Sequence, residues 1–114
     1  MSDKTPNLGL PYIVQSQAQK EVTHNQGLNL LDFLVDRTVK DKDMTAPPAS
    51  PLEGDAYIIP SSSTGVWAGK DGQIAQFIGG AWDYYIPRQG WLLYVIDEDK
   101  YYKRGSSTWL ITAI

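Results

Sequence analysis

Residues 73–86 read Gln73-Ile-Ala-Gln-Phe-Ile-Gly-Gly-Ala-Trp-Asp-Tyr-Tyr-Ile86. Two apolar and aromatic runs flank Gly79-Gly80, a pair that takes positive φ without penalty at both centres of a two-residue turn. The stretch predicts a β-hairpin. In its return arm Trp82, Tyr84 and Ile86 share one face, and Ala81, Asp83 and Tyr85 share the other.

The same signs continue in both directions. Candidate strands are Asp55–Pro60, Gly65–Gly69, Gln73–Ile78, Ala81–Ile86, Trp91–Ile96, Lys100–Arg104 and Thr108–Ile114. Asp71-Gly72, Pro87-Arg-Gln-Gly90, Asp97-Glu-Asp99 and Gly105-Ser-Ser107 punctuate them with turn chemistry. Trp91–Ile96 is apolar on both faces, which predicts a central strand covered on both sides. Phe77-Ile-Gly-Gly-Ala-Trp82 and Tyr102-Lys-Arg-Gly-Ser-Ser-Thr-Trp109 form a weak repeat, an aromatic before a Gly turn and a Trp after it. Each predicts a cross-strand aromatic pair worth ~0.2–1 kcal/mol.

Upstream the pattern changes. Three prolines in Thr45-Ala-Pro-Pro-Ala-Ser-Pro51 stop helix and strand alike. Before them, Ser16 and Gln19 suit a capping box, and Leu28, Leu31, Leu34 and Val35 recur at helical spacing, with Leu30 and Phe33 beside them. This predicts a helix over residues 16–40, with Gly27 as a possible break or close contact. The expected fold class is α+β: an N-terminal helical segment (1–44), a Pro-rich connector (45–54) and a small antiparallel β-hairpin module (55–114). The apolar helix face has two possible covers, the chain's own sheet or the same helix in another subunit.

Composition narrows the chemistry. The chain has 114 residues, one domain's length, with no Cys and a single His, His24. Thiol catalysis, disulfides, Cys-type zinc sites and an all-His metal site within one chain are excluded. A net charge of −3 presents no basic surface for nucleic acid. No apolar run is of signal-peptide or membrane-spanning length, so the expectation is a soluble chain made in the cytoplasm. Four Trp and seven Tyr stand against two Phe, and residues 1–54 hold only Tyr12 and Phe33 of these. Such amphipathic aromatics serve hairpins, surfaces and interfaces.

No constellation in this sequence spells catalysis. His24 has Glu21 and Leu28 as helical neighbours, which is no site signature. Asp97-Glu98-Asp99 lacks the alternating ligand pattern of a calcium loop and is followed by Lys100. Glu53, Asp55, Asp71 and Asp83 could form a glycosidase pair only at ~5–9.5 Å separation across a cleft. Gly65-Val-Trp-Ala-Gly-Lys-Asp-Gly72 lacks phosphate-loop spacing. The expectation is no enzyme, no cofactor and no metal. Trp67, Trp82, Tyr84, Tyr85, Tyr101, Tyr102 and Trp109 are the candidate glycan- or partner-binding aromatics. Leu28, Leu31, Leu34 and Val35 are the candidate oligomer interface.

Two stretches carry a resemblance. The first is Leu8-Gly-Leu-Pro-Tyr-Ile13, Gln17-Ala-Gln-Lys-Glu-Val-Thr-His-Asn25, Leu28, Leu31 and Asp32. The second is Thr45–Pro51, Glu53-Gly-Asp55, Tyr57-Ile58, Thr64-Gly-Val-Trp-Ala-Gly69, Asp71-Gly72, Ile74-Ala75, Gly80-Ala-Trp82, Pro87 and Gly90-Trp91. Together they resemble a family of uncharacterised domains in tailed-phage and gene-transfer-agent structural proteins of α-proteobacteria. Gln26-Gly27 departs from the family's Glu-Ala. The resemblance implies a virion component of a fibre, spike or tail tip, located in the particle and acting in assembly and host attachment. It brings no catalytic residue. Expected partners are further copies of the chain (a trimer by analogy with fibres), other virion proteins and host surface polysaccharide, without nucleic acid or membrane insertion. The alternative expectation is a carbohydrate-binding module acting through surface Trp and Tyr.

Overall fold

The computed structural model describes residues 4–12 and 20–113. The chain forms two compact units, Met1–Arg37 and Thr38–Ile114. The class is α+β, with one helix and seven strands among the described residues.

In the first unit, α1 spans Lys20–Asp36. It does not open the chain. Residues 4–12 come first, folded into a turn closed by the Lys4–Pro11 bridge. The expected helix start at 16–19 lies outside the described residues. Its expected end at residue 40 is corrected to Asp36. Arg37 takes the left-handed conformation at φ 55°, and its N–H bonds the Phe33 carbonyl at 2.6 Å, a left-handed helix cap. The chain then turns straight into a strand.

Gly27 breaks nothing, because α1 runs through it. A Cβ placed there would meet no atom within 4 Å. Gly27→Ala is therefore expected to stabilise the helix by up to ~1 kcal/mol, since only backbone freedom changes. A rise in the helical melting transition checks this; a fall would mean that the position needs glycine.

In the second unit, β1 is Thr38–Val39, β2 Ala56–Ile58, β3 Ile74–Ile78, β4 Ala81–Tyr85, β5 Leu92–Val95, β6 Lys100–Arg104 and β7 Trp109–Thr112. They make a three-stranded sheet, β2-β3-β4, and a four-stranded sheet, β1-β5-β6-β7. The decisive hairpin forms as the sequence demands: Ile78 faces Ala81, and Gly79 and Gly80 sit at φ 64° and 83°. The purely antiparallel hairpin description fits only loosely, because β1 runs parallel to β5.

Residues 38–41 also splice the two sheets. Lys40 N–H bonds the Ala56 carbonyl (2.8 Å) and Ile58 N–H bonds the Asp41 carbonyl (3.1 Å). Asp41 thereby pairs in parallel with Tyr57.

Three strand-level expectations need correction. Gly65–Gly69 is no strand: Gly65–Trp67 is a 3-10 turn, started by Gly65 at φ 66°. The second aromatic repeat pairs differently, with Tyr102 opposite Ile111 and Trp109 opposite Arg104. β5 is central, flanked by β1 and β6, but only its Leu93–Val95 face is buried. The Pro-rich segment 45–54 lies inside the second unit.

Candidate functional site

α1 presents two faces of opposite character. Asn29, Asp32 and Phe33 are buried, at the i, i+3, i+4 spacing that puts residues on one face. The cover over the polar part of this face is backbone. Asp32 Oδ1 accepts from the Thr5 hydroxyl (2.7 Å) and the Leu8 N–H (2.7 Å). Its Oδ2 accepts from the Asn7 N–H (2.9 Å). The Thr5 hydroxyl in turn accepts from the Leu10 N–H at 2.8 Å. Three hydrogen bonds thus converge on one carboxylate, a fourth reaches it through the Thr5 hydroxyl, and the Tyr12 hydroxyl donates to Asn29 on the same face.

The other face is apolar and open. Leu31 and Val35, one helical turn apart, are 52% and 50% exposed. Leu28 and Leu34 are half-buried. Exposed leucines are common singly, but a contiguous apolar stripe on a helix marks an interaction surface.

Of the candidate aromatics Trp67 and Tyr102 are buried, and Trp82, Tyr84, Tyr85, Tyr101 and Trp109 are half-buried. Trp67 is fully buried in a cluster with Tyr57, Ile59 and Ala75, and Met44, Trp82 and Tyr84 pack against it. Trp67 and Trp82 meet edge-to-face at 5.4 Å, and Trp82 meets Phe77 likewise at 5.2 Å. Trp67 therefore has no surface to offer a ligand or partner, which corrects its place among the binding aromatics. Its helical-turn setting is the reason: the 3-10 geometry of residues 65–67 turns the indole inward and Val66 outward.

Tyr84 donates to the Val66 carbonyl at 3.2 Å and lies under the Lys70 ammonium, 4.5 Å from the ring centre. Tyr85 donates to the buried Gln76 at 2.7 Å. Trp109 is half-buried and its indole N–H donates to the Gly72 carbonyl at 3.0 Å. Tyr102 is buried, while Tyr101 faces the other way, half-buried and edge-on to Tyr94 at 5.1 Å. Tyr101 lines an open groove of ≈ 450 Å³ with Asp99, Lys100, Ile111, Thr112 and Ala113.

The carboxylates weighed for chemistry do structural tasks. Glu53 accepts from the Gly79 N–H at the β3–β4 turn (3.0 Å). Asp55 accepts from the Leu52 N–H (2.9 Å) and pairs with Lys40 at 3.5 Å. Asp41, Asp43 and Asp97 bring ligand-capable oxygens within 4.8 Å of one another. Lys42 pairs with one of them, Asp43 (3.2 Å), and with the neighbouring Glu98 (3.4 Å). Burial lowers the Lys42 pKa, but the Asp43 and Glu98 carboxylates outweigh it and leave it raised. His24 is exposed.

Burial, then the neighbouring Glu53 charge, raises the Asp83 pKa above its ordinary value of 3.8. The folded state then holds this proton more tightly than the unfolded one. Stability falls as pH rises from the ordinary carboxylate range through the folded value, and stays lower above it. Asp83→Asn removes that slope. The stability difference between variant and wild type is expected to shift in the variant's favour between pH 4 and pH 7, measured as urea midpoints; a pH-independent difference contradicts it.

The profile of the DUF2793 family, described as a protein of unknown function, matches residues 24–110. That is more than half of the chain. The chain belongs to the DUF2793 family. The DUF2793 match takes in the open face of α1 and the aromatic cluster, while residues 5–10, which hold Asp32, precede it. No curated protein matches the chain.

Neither Asp32, which enters the sequence reading only through the resemblance, nor Asn29 is among the candidate site residues. The signal was present: Asp32 interrupts Leu30-Leu31-Asp32-Phe33-Leu34-Val35, and a lone carboxylate in such a run is either a surface marker or a buried acceptor with donors.

Proposed function

We propose that this DUF2793 chain is a structural assembly module, working in particle building and host-surface attachment and not in catalysis. One observation carries the reading. α1 buries a polar face against the backbone of residues 5–10 and leaves Leu31 and Val35 half exposed at i, i+4. That is the arrangement of a helix made to meet a second helix. The aromatic side chains, by contrast, mostly hold the β unit together. Leu28, Leu31, Leu34 and Val35 form the self-association face, and a trimer is the proposed closure. The resemblance to phage and gene-transfer-agent structural proteins supports a fibre, spike or tail-tip location in the virion.

The test is Leu31→Asp in the full chain, read by mass photometry. Because Leu31 is half exposed, the charge costs the folded subunit little. It would, however, bury an unpaired carboxylate in the helix–helix contact, a loss of several kcal/mol. The expected result is a soluble monomer with an unchanged β-sheet signal. A variant that associates like wild type overturns the helix face as the interface.

A second reading, glycan recognition, has one observation in its favour. The groove beside Tyr101 combines a half-exposed ring with the Asp99 carboxylate, the Lys100 ammonium and the Thr112 hydroxyl, the mixture of stacking surface and hydrogen-bonding groups that a sugar takes. Titration with host polysaccharide should quench tyrosine emission in wild type and not in Tyr101→Ala. No response in either removes this reading.

A further inference from the structure

β7 is the outer strand of its sheet. Its β6 ladder closes at a two-residue turn, where Gly105 N–H bonds the Thr108 carbonyl at 2.8 Å. Hydrogen-bonded and non-bonded pairs alternate along an antiparallel ladder. Leu110 and Thr112 therefore bond to β6, and the backbone groups of Trp109 and Ile111 point outward. Among the described residues of the second unit, those groups have no backbone partner.

The sheet's other edge is not open in this way, because residues 40–41 bond across to β2. The outer strand of the three-stranded sheet, β4, carries Asp83 and runs into Pro87 and Arg88, the residue types that block strand addition. From Thr108 to Ala113, β7 has neither charge nor proline. Leu110 and Ile111 are 49% and 59% exposed.

The identity of the occupant follows from the strand's own sequence. Thr108-Trp-Leu-Ile-Thr112 reads nearly the same in both directions by side-chain type. A two-fold axis through Leu110 sets Leu110 against Leu110, Trp109 against Ile111 and Thr108 against Thr112 of a second copy. It also brings the outward groups of Trp109 opposite those of Ile111, so the backbone bonds form in register. Aromatic–β-branched and Thr–Thr cross-strand pairs are among the favourable ones, and no charge on the strand opposes the approach.

We propose that β7 is a homotypic pairing edge, at which two copies of this chain join their four-stranded sheets antiparallel about Leu110. This surface lies in the second unit and is independent of the α1 face. With both in use, contacts at two separate places would let copies link into an extended assembly beyond a closed oligomer.

The experiment uses the full chain carrying Leu31→Asp, so that the helix contact does not contribute and the two surfaces fail separately. Amide exchange is read residue by residue at low and at high micromolar concentration. Protection of Trp109 and Ile111 is expected to rise with concentration, roughly tenfold or more, with β5 and β6 unchanged. Ile111→Pro deletes only an outward N–H and is expected to abolish the Trp109 gain while keeping the fold. If that variant loses β signal, Ile111→Lys serves instead. Concentration-independent exchange at Trp109 and Ile111, or unaltered association in a folded edge variant, overturns the proposal. So does protection that appears only on adding a different protein.

Discussion

Asp32→Ala is expected to release residues 5–10 from the helix and to destroy the order of the first unit. The carboxylate satisfies the Thr5 hydroxyl and the Asn7 and Leu8 N–H groups. Thr5 itself is buried and holds Leu10. Removing the acceptor leaves at least one buried donor unpaired at ~1–3 kcal/mol, besides the loss of bonds to a charged group at ~1.5–3 kcal/mol each. A unit of this size has little reserve against such a loss, since chains below ~40 residues seldom hold a core without a staple. Asp32→Asn should fall between, because one amide oxygen can keep the Thr5 and Leu8 bonds while its NH2 faces the Asn7 donor. Amide exchange at Asn7, Leu8 and Leu10 reads the effect. Fast exchange at these positions, with the β unit's melting unchanged, is the expected result. Retained protection in Asp32→Ala would mean that residues 5–10 are held by something other than this carboxylate.

Trp67→Ala is expected to unfold the second unit under conditions where wild type is stable. The indole is fully buried between Tyr57 and Trp82, and truncating a core Trp costs ~3–5 kcal/mol. That is a large share of the ~5–15 kcal/mol that stabilises an ordinary domain. The indole N–H finds no hydrogen-bond partner among the described residues. Trp67→Phe therefore keeps much of the ring contact and gives up no hydrogen bond, and should cost much less than alanine. Urea denaturation followed by far-UV circular dichroism distinguishes them. Equal midpoints for Ala and Phe would show that ring packing at this position contributes little.

These two residues also mark what the sequence did and did not disclose. Gly79-Gly80 announces its hairpin because the two-residue turn admits few other pairs, and the flanking runs land within a residue of β3 and β4. Trp67 was misread because Gly65-Val-Trp-Ala-Gly69 has the alternation of a short strand. Three residues are too few to separate that period from a 3-10 turn. β1 escaped for a similar reason: Thr38–Val39 is two residues long, and its partner, β5, lies far along the chain.

The helix shows the deeper difficulty. Periodicity located the apolar stripe and left it two covers, the chain's own sheet or a second subunit, but carried no sign of the polar face beside it. Here the layer over the helix is a turn of backbone, which offers N–H groups. The face that is buried is accordingly the one with acceptors, Asn29 and Asp32, together with Phe33. The leucine stripe is displaced outward, and the proposal of an assembly function rests on that displacement.

The most direct measurement of the assembly reading is sedimentation equilibrium of the wild-type chain beside Leu31→Asp over a range from nanomolar to high micromolar. The expected result is a concentration-dependent oligomer for wild type and a marked loss of association in the variant. A wild-type chain that remains a monomer throughout would contradict it.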